Sequence, residues 1–230
     1  MKSLVMIPAY NEEKNIVKTV RDIQKNAPDF DYIIINDCSR DSTLDLCRRE
    51  GLHVLNLPVN LGIGGAVQTG YRYAMQNGYD VAVQFDGDGQ HDAAYLIQMR
   101  EKLVREELDM VIGSRFLRHE GFQSSGMRRL GIRYFTELIR VSTGKKITDP
   151  TSGMRMANRS VIEAFAVNYP KDYPEPESVV YLLRQGKRVE EAPVKMRERE
   201  NGKSSISFSK SIYYMCKVTF AILIEDIRRY

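Results

Sequence analysis

The chain has little of what would make it secreted, zinc-stapled or membrane-spanning. Its three cysteines, Cys38, Cys47 and Cys216, are scattered and form no Cys-x-x-Cys pair. That excludes a disulfide framework and a cysteine zinc site, and it fits a reducing compartment. No apolar run approaches the roughly 20 residues a membrane helix needs. The opening MKSLVMIPAYNEE is too short in its apolar part for a signal sequence and at once meets Pro8, Asn11 and two acids, so it reads as a first strand. The net charge of +4 comes without a dense basic stripe, which argues against nucleic acid and suits a phosphorylated or anionic partner. Internal repeats, low-complexity tracts and domain-dividing linkers are also absent. The remainder is an ordinary globular balance, 43% apolar and 28% charged over 230 residues, enough for a large core.

The first half alternates short apolar runs with amphipathic stretches. LVMIPA (4–9), DYIIIND (31–37), HVLNL (53–57), VAVQF (81–85) and MVIGS (110–114) read as strands. The intervening stretches 11–26, 41–51, 66–78 and 93–107 read as helices, the second with Asp41 as N-cap and Gly51 past its end. Such alternation predicts a doubly wound, mostly parallel sheet, with ligands bound beyond the carboxyl ends of its strands. The second half is less regular. Residues 127–143 read as a helix, 147–160 as a turn-rich stretch leading into a helix, 171–186 as a proline- and carboxylate-rich start to another helix, and 187–196 as a strand.

The chemistry collects at the predicted strand ends. Asp86 and Asp88 lie one residue apart in VAVQFDGDGQHD, separated by Gly87 and followed by Gly89. Like charges so close disfavour each other's ionisation, and a bound cation would compensate. Two carboxylates plus a diphosphate suit Mg²⁺ or Mn²⁺ in oxygen coordination. An EF-hand is excluded, because His91 and Ile97 stand where Gly and Glu are required. NLGIGGAVQTG (60–70) is a glycine-rich loop opening a helix, open to an anion or to plain helix–sheet packing; it matches neither the dinucleotide fingerprint nor the P-loop. Asp37, at a strand end, is placed to accept from a nucleobase N–H. His91 beside the two aspartates reads as a supporting residue rather than a ligand.

IPAYNEE, NDCSRDST, NLGIGGAVQTG, DGDGQH, GSRF and DPTSGMR occur in one order over residues 7–156. As a set they resemble the inverting glycosyltransferases of family 2, with the GT-A fold. Within it they are most similar to the polyprenyl-phosphate sugar transferases, a group that includes dolichyl-phosphate mannose synthases and bacterial undecaprenyl-phosphate sugar transferases. The resemblance implies an α/β fold, a single Rossmann-like GT-A domain over 1–204; the residues of 205–230 themselves read as an apolar helical extension. The resemblance also implies that Pro8, Tyr10, Glu12, Asp37 and the loop around Gly64 hold the nucleotide. Asp86 and Asp88 would carry metal and donor diphosphate, Gln90 would complete the metal site, Arg115 would face the reacting phosphates, and Asp149 would stand near the acceptor, followed by Arg155. Arg128, Arg129 and Arg133 are spaced to share a helix face, and Arg129 and Arg133 are favoured for the acceptor phosphate. RERENGKSS (197–205) is similar to the family's R-x-x-G-x-S-K segment, so Arg199 and Ser204 join that set; Ser205 replaces the usual Lys, and Lys203 stands beside it. Glu175 and Glu177 are open to orienting sugar hydroxyls or to forming a polar turn.

The implied activity is metal-dependent transfer of a sugar, glucose or N-acetylglucosamine favoured, from a nucleotide diphosphate, UDP favoured, to a polyprenyl phosphate. Three alternatives stand beside it: transfer to a sugar hydroxyl in cell-wall or capsule polysaccharide synthesis, a nucleotide-sugar-binding module without catalysis, and a metal-dependent nucleotidyltransferase. The apolar stretch 205–230 is open to membrane-surface docking, to a small membrane protein or second copy as partner, or to a place in the core. The expected location is peripheral, on the cytoplasmic face of the membrane.

Overall fold

The first strand, β1 (Ser3–Ala9), is buried at every residue, as a strand covered on both faces must be. In the computed structural model, which describes residues 1–118, 126–171, 174–197, 215–220 and 222 (side chains of 126–128 excepted), β1 lies inside a seven-stranded sheet. The other strands are β2 (Phe30–Asn36), β3 (Val54–Asn56), β4 (Val81–Gln84), β5 (Met110–Ser114), β6 (Arg155–Asn158) and β7 (Val189–Pro193). Their spatial order is β3-β2-β1-β4-β6-β5-β7. Alternate residues of β1 enter opposite cores: Leu4 and Met6 join one cluster, Val5, Ile7 and Ala9 the other.

Helices complete the two outer layers. α1 (Ile16–Asn26), α2 (Thr43–Arg49) and α4 (Tyr95–Arg105) cover one face. α3 (Gly62–Gln76), α5 (Gly126–Thr143), α6 (Arg159–Val167) and α7 (Pro174–Arg184) cover the other. In α1, Ile16, Thr19, Val20 and Ile23 form the buried stripe, the spacing of one helical face. The helix starts later than the expected Asn11, which sits at φ 59°. There the chain turns, with Asn15 and Ile16 both donating to the Glu12 carbonyl.

The mostly parallel sheet expected from the alternation is present, with one strand the pattern did not announce. Within the stretch read as turn-rich, residues 155–158 form β6, antiparallel to both β4 and β5. Its direction matters for the site. Arg155 pairs with Gln84 of β4 and with Ile112 of β5, so the preceding DPTSG segment arrives at the edge where the parallel strands end. At that edge Ala9 pairs with Asn36, Asn36 with Asn56, and Ser114 with Pro193. Residues 215–220 and 222 are helical; Val218 and Ile222 are buried in the α3/α5–α7 core, and Phe220 is 67% exposed. Tyr134 of α5 shares a 2.9 Å hydrogen bond with Thr219. The core therefore takes part of the segment read as a docking helix; the rest of 205–230 lies outside the described residues. Among the described residues no helix is long and apolar enough to cross a membrane.

Candidate active site

Past β4 the chain presents Asp86 with its carboxylate held from several sides. Gln84 Nε2 donates to Oδ1 at 3.2 Å, and His91 Nε2 lies 3.6 Å from Oδ2. His91 is buried, stands edge-on to Phe85, and accepts the Asp86 backbone N–H through Nδ1 at 3.2 Å. With both ring nitrogens directed at Asp86, His91 aims the carboxylate, in keeping with the supporting role expected of it. The DPTSG segment meets the same group: a Cβ on Gly153 would stand 2.3 Å from Asp86 Oδ2. Two motifs 67 residues apart thus share one space, and only glycine fits. Asp88 Oδ1 accepts the Gln90 backbone N–H at 3.0 Å, folding the loop over Gly89 at φ 77°.

The other end of this loop is latched to the chain after β7. Arg197 donates its backbone N–H to the Gln90 carbonyl at 2.8 Å, and Gln90 Nε2 returns a bond of 3.4 Å to the Arg197 carbonyl. The Arg197 guanidinium reaches Asp22 at 3.3 Å and Asp92 at 3.2 Å. The Gln90 amide thereby directs its nitrogen to Arg197, which leaves its oxygen as the atom to offer an ion. The fit to a hard cation rests on this donor chemistry: carboxylate oxygens from Asp86 and Asp88 and one amide oxygen. Among the described residues no group of three or more His, Cys, Asp or Glu is placed to enclose an ion. An ion here needs further oxygens from a substrate or water, as Mg²⁺ and Mn²⁺ accept.

The expected nucleotide residues gather over the ends of β1 and β2. Pro8 closes on Gly87, whose Cβ would lie 3.2 Å from the Pro8 carbonyl. Tyr10 is 43% exposed. Glu12 is drawn into the loop by Thr43 and Asn15: its backbone N–H donates to Thr43 Oγ1 and its carboxylate accepts from Asn15 Nδ2, both at 2.8 Å. Ser42, not the expected Asp41, is the N-cap residue of α2; Asp41, one residue earlier, accepts the Thr43 backbone N–H and also that of Glu13. Asp37 is buried and already engaged. Its Oδ1 accepts the Leu61 N–H at 2.6 Å and its Oδ2 the Gly62 N–H at 2.9 Å, so it caps α3. A nucleobase N–H would have to share those oxygens through their remaining lone pairs. Gly64 stands in close packing, one of the two readings open to its loop. A Cβ there would lie 2.1 Å from the Lys171 carbonyl and 2.3 Å from that of Pro170, so the glycine serves close packing of α3 against that backbone rather than approach of a ligand.

Across the sheet, Arg115 and Asp149 form a buried fork. Arg115 Nε donates to Asp149 Oδ2 and an Arg115 terminal nitrogen to Oδ1, each at 2.6 Å; the Arg115 backbone N–H adds 3.2 Å to Oδ2. Asp149 is 0% exposed. Both of its oxygens are held by Arg115, so the pair is a charge-assisted bidentate fork. Arg155 is likewise fully buried and donates to the carbonyls of Ser152, Pro150 and Glu175 and to Ser178 Oγ, tying the DPTSG turn to α7. Glu175 gives that structural contact through its carbonyl. Arg129 is half-buried and Arg133 exposed on α5. Thr136 Oγ1 of the same helix donates to the Thr148 carbonyl at 3.4 Å, so the two arginines lie two turns and one turn before the point where α5 touches the Asp149 loop. Arg199 and Ser204, and the side chain of Arg128, lie outside the described residues.

Sequence reading did not single out Glu191, Gln84 or Thr148. Glu191 of β7 accepts Thr148 N–H at 2.8 Å, Thr148 Oγ1 at 2.9 Å and Asp149 N–H at 2.8 Å. Burial pushes its pKa up, against the pull of those hydrogen bonds. The two adjacent acids of RVEEAPV were the available signal, since a strand must turn one of them inward.

The sheet, parallel but for one inserted antiparallel strand, thus carries a carboxylate pair where β4 ends and an arginine fork where β5 ends, the arrangement the motif resemblance implied. A family model described as Glycosyl transferase family 2 matches residues 4–165, and the chain belongs to that family. It is 31% identical to the undecaprenyl-phosphate mannosyltransferase of Micrococcus luteus, covering 90% of this chain and 88% of that one. It is 27% identical to the UDP-N-acetylglucosamine–dolichyl-phosphate N-acetylglucosaminyltransferase of Methanococcus voltae, covering 83% and 84%. Among solved structures, glucosyl-3-phosphoglycerate synthase from Mycobacterium tuberculosis, in complex with Mn²⁺, UDP and glucosyl-3-phosphoglycerate, superposes with a TM-score of 0.73 at 17% identity. That match covers 98% of this chain and 79% of that one, and it shows the shared fold.

Proposed function

We propose that this glycosyltransferase moves a sugar from a nucleotide diphosphate to a polyprenyl phosphate, with inversion. The observation that carries the choice of acceptor is the buried Arg115–Asp149 fork. A hydroxyl acceptor needs a base within hydrogen-bond reach of its proton, and Asp149, the candidate for that role, is fully buried and bound through both oxygens to Arg115. A phosphate acceptor needs none, because its second pKa lies near 6 and it is largely dianionic at neutral pH. It needs positioning, which Arg129 and Arg133 on α5 supply, with Arg199 and Ser204 further along the chain. The names of the Micrococcus and Methanococcus relatives support the same acceptor class.

On the donor side, Asp37, Glu12, Tyr10 and Pro8 would hold the nucleoside, the base sharing Asp37 with the start of α3. Asp86 and Asp88, with the Gln90 amide oxygen, would hold Mg²⁺ or Mn²⁺, which supplies positive charge beside the leaving diphosphate. Arg115, held by Asp149, would stabilise the same developing charge. His91 and Gln84 keep Asp86 in place. UDP-glucose and UDP-N-acetylglucosamine are the first donors to test, with GDP-mannose beside them because a relative carries mannose. The protein would work at the cytoplasmic face of the membrane, with segment 205–230 assisting attachment, through lipid, a small membrane protein or a second copy.

The deciding assay is transfer of radiolabelled sugar to undecaprenyl phosphate by purified protein with Mg²⁺ or Mn²⁺ and the three donors in parallel. A lipid product, lost with EDTA and with Asp88→Asn, is expected. Donor hydrolysis with transfer only to a sugar hydroxyl would overturn the acceptor assignment, pyrophosphate release would reveal a nucleotidyltransferase, and donor binding without any turnover would leave a binding module.

A further inference from the structure

We infer that Glu191 is the positioning residue that fixes the Asp149–Arg115 fork against the reacting phosphates. The inference rests on the reading of Arg115 given above and goes beyond it, since Glu191 acts through Thr148 and Asp149. β7 runs parallel to β5 with Glu191 beside Ile112 and Pro193 beside Ser114, so Glu191 stands two residues below the end from which Arg115 emerges. Its neighbour Glu190 turns the other way and pairs with Lys145 at the surface, both side chains over 40% exposed. Glu191 turns inward, where three donors from two consecutive residues converge on its two oxygens at 2.8–2.9 Å. Thr148 Oγ1, one of them, also meets Ser114 Oγ at 2.8 Å. A closed ring results: Ser114 adjoins Arg115, Arg115 is forked on Asp149, and the Thr148–Asp149 backbone is pinned by Glu191. Asp149 itself is a loop residue, and a loop holds a side chain in one direction only where its backbone is fixed. Glu191 supplies that fixation, and a carboxylate is needed because all three converging groups donate; an amide would turn its NH2 toward one of the two backbone N–H groups, whichever oxygen it replaced.

The test compares Glu191→Gln, Thr148→Val and Thr148→Ser in the full chain, with separate kcat and donor KM, thermal melting, and both lipid transfer and donor hydrolysis recorded. Wild-type protein is assayed first: absence of lipid product there sinks the acceptor reading, and Glu191 is then judged on donor hydrolysis alone. Displacement of a charge-stabilising group by about 1 Å costs on the order of a hundredfold. Glu191→Gln is expected to lose about that much in kcat with donor KM within about twofold of wild type, as for an interaction made in the transition state. Thr148→Val is expected to fall in the same sense, while Thr148→Ser, which keeps the hydroxyl, retains activity. A folded Glu191→Gln protein with wild-type kcat overturns the inference. So does a loss that follows only the folded fraction, with Val and Ser equivalent at 148. If Glu191→Gln does not fold, the Thr148 pair decides: Val impaired and Ser active supports it, both active overturns it.

Discussion

A glycine and a carboxylate share one space in the cleft. Because a Cβ at Gly153 would lie 2.3 Å from Asp86 Oδ2, Gly153→Ala must push the Asp86 carboxylate away from Gln84 and His91. Activity should fall about a hundredfold, and a Mn²⁺ titration of the residual rate should show a raised metal requirement. The Arg115–Asp149 fork makes a second, sharper prediction. Each of Arg115→Ala and Asp149→Asn should cost on the order of a hundred- to a thousandfold in kcat, the range for losing one aimed charge-stabilising donor. If Asp149 acts only through Arg115, the double variant should be no slower than Arg115→Ala alone, the coupling expected of residues in one ion pair. A base would add its own loss, and strictly multiplied rates in that cycle would restore Asp149 to catalysis. Asp86, Asp88 and Arg115 were legible as individual residues because each stands in a motif at a strand end. The contacts of Asp149 and Gly64 were not, because a sequence gives the residue type and not the neighbour 34 or 107 positions away that meets it.

Elements were legible where period and length agreed. The five strands of the first half and α1, α2 and α4 carry apolar residues at spacings that a buried strand or one-sided helix requires. β6 escaped because its four residues begin with Arg155 and end with Asn158; only the neighbouring β4 and β5 make a strand of it. α3 began earlier than its apolar pattern suggested, at Gly62 rather than Ala66, because the distant Asp37, with Asn60 beside it, accepts the N–H groups at its start. The same helix offers a test of what its glycines do. Gly64→Ala would drive a methyl into the carbonyls of Pro170 and Lys171. The expected result is a loss of about 1–3 kcal/mol in stability, the usual cost of overpacking, read from the denaturant midpoint, with donor KM unchanged in the folded protein. A raised donor KM at unchanged stability would instead give this glycine to the ligand.

At the scale of the whole molecule the antiparallel β6 gives the sheet two functional edges. The carboxyl ends of the parallel strands carry the site. At the opposite edge Asp109, just before β5, joins three strands. Its carboxylate accepts the Arg188 N–H leading into β7 at 2.8 Å, Asn158 Nδ2 at the end of β6 at 3.0 Å and Ser160 Oγ at 3.1 Å, with Lys187 at 3.4 Å. Burial would raise its pKa, but the hydrogen bonds and the Lys187 charge together outweigh burial and hold it below the usual carboxylate value. A depressed native pKa stabilises the fold above the unfolded value near 3.9, and that contribution is lost as pH falls through the lower native value. Wild-type melting temperature should therefore drop progressively below about pH 4. Asp109→Asn should lower it already at neutral pH, through a loss of stability of about 1.5–3 kcal/mol for hydrogen bonds to a charged acceptor, and should flatten the acid limb. Donor KM should not change, because the three strands are joined at the end far from Asp86 and Arg115. An acid limb as steep in Asp109→Asn as in wild type would assign acid sensitivity to other carboxylates, and a changed donor KM would show that the two edges are mechanically coupled through β5.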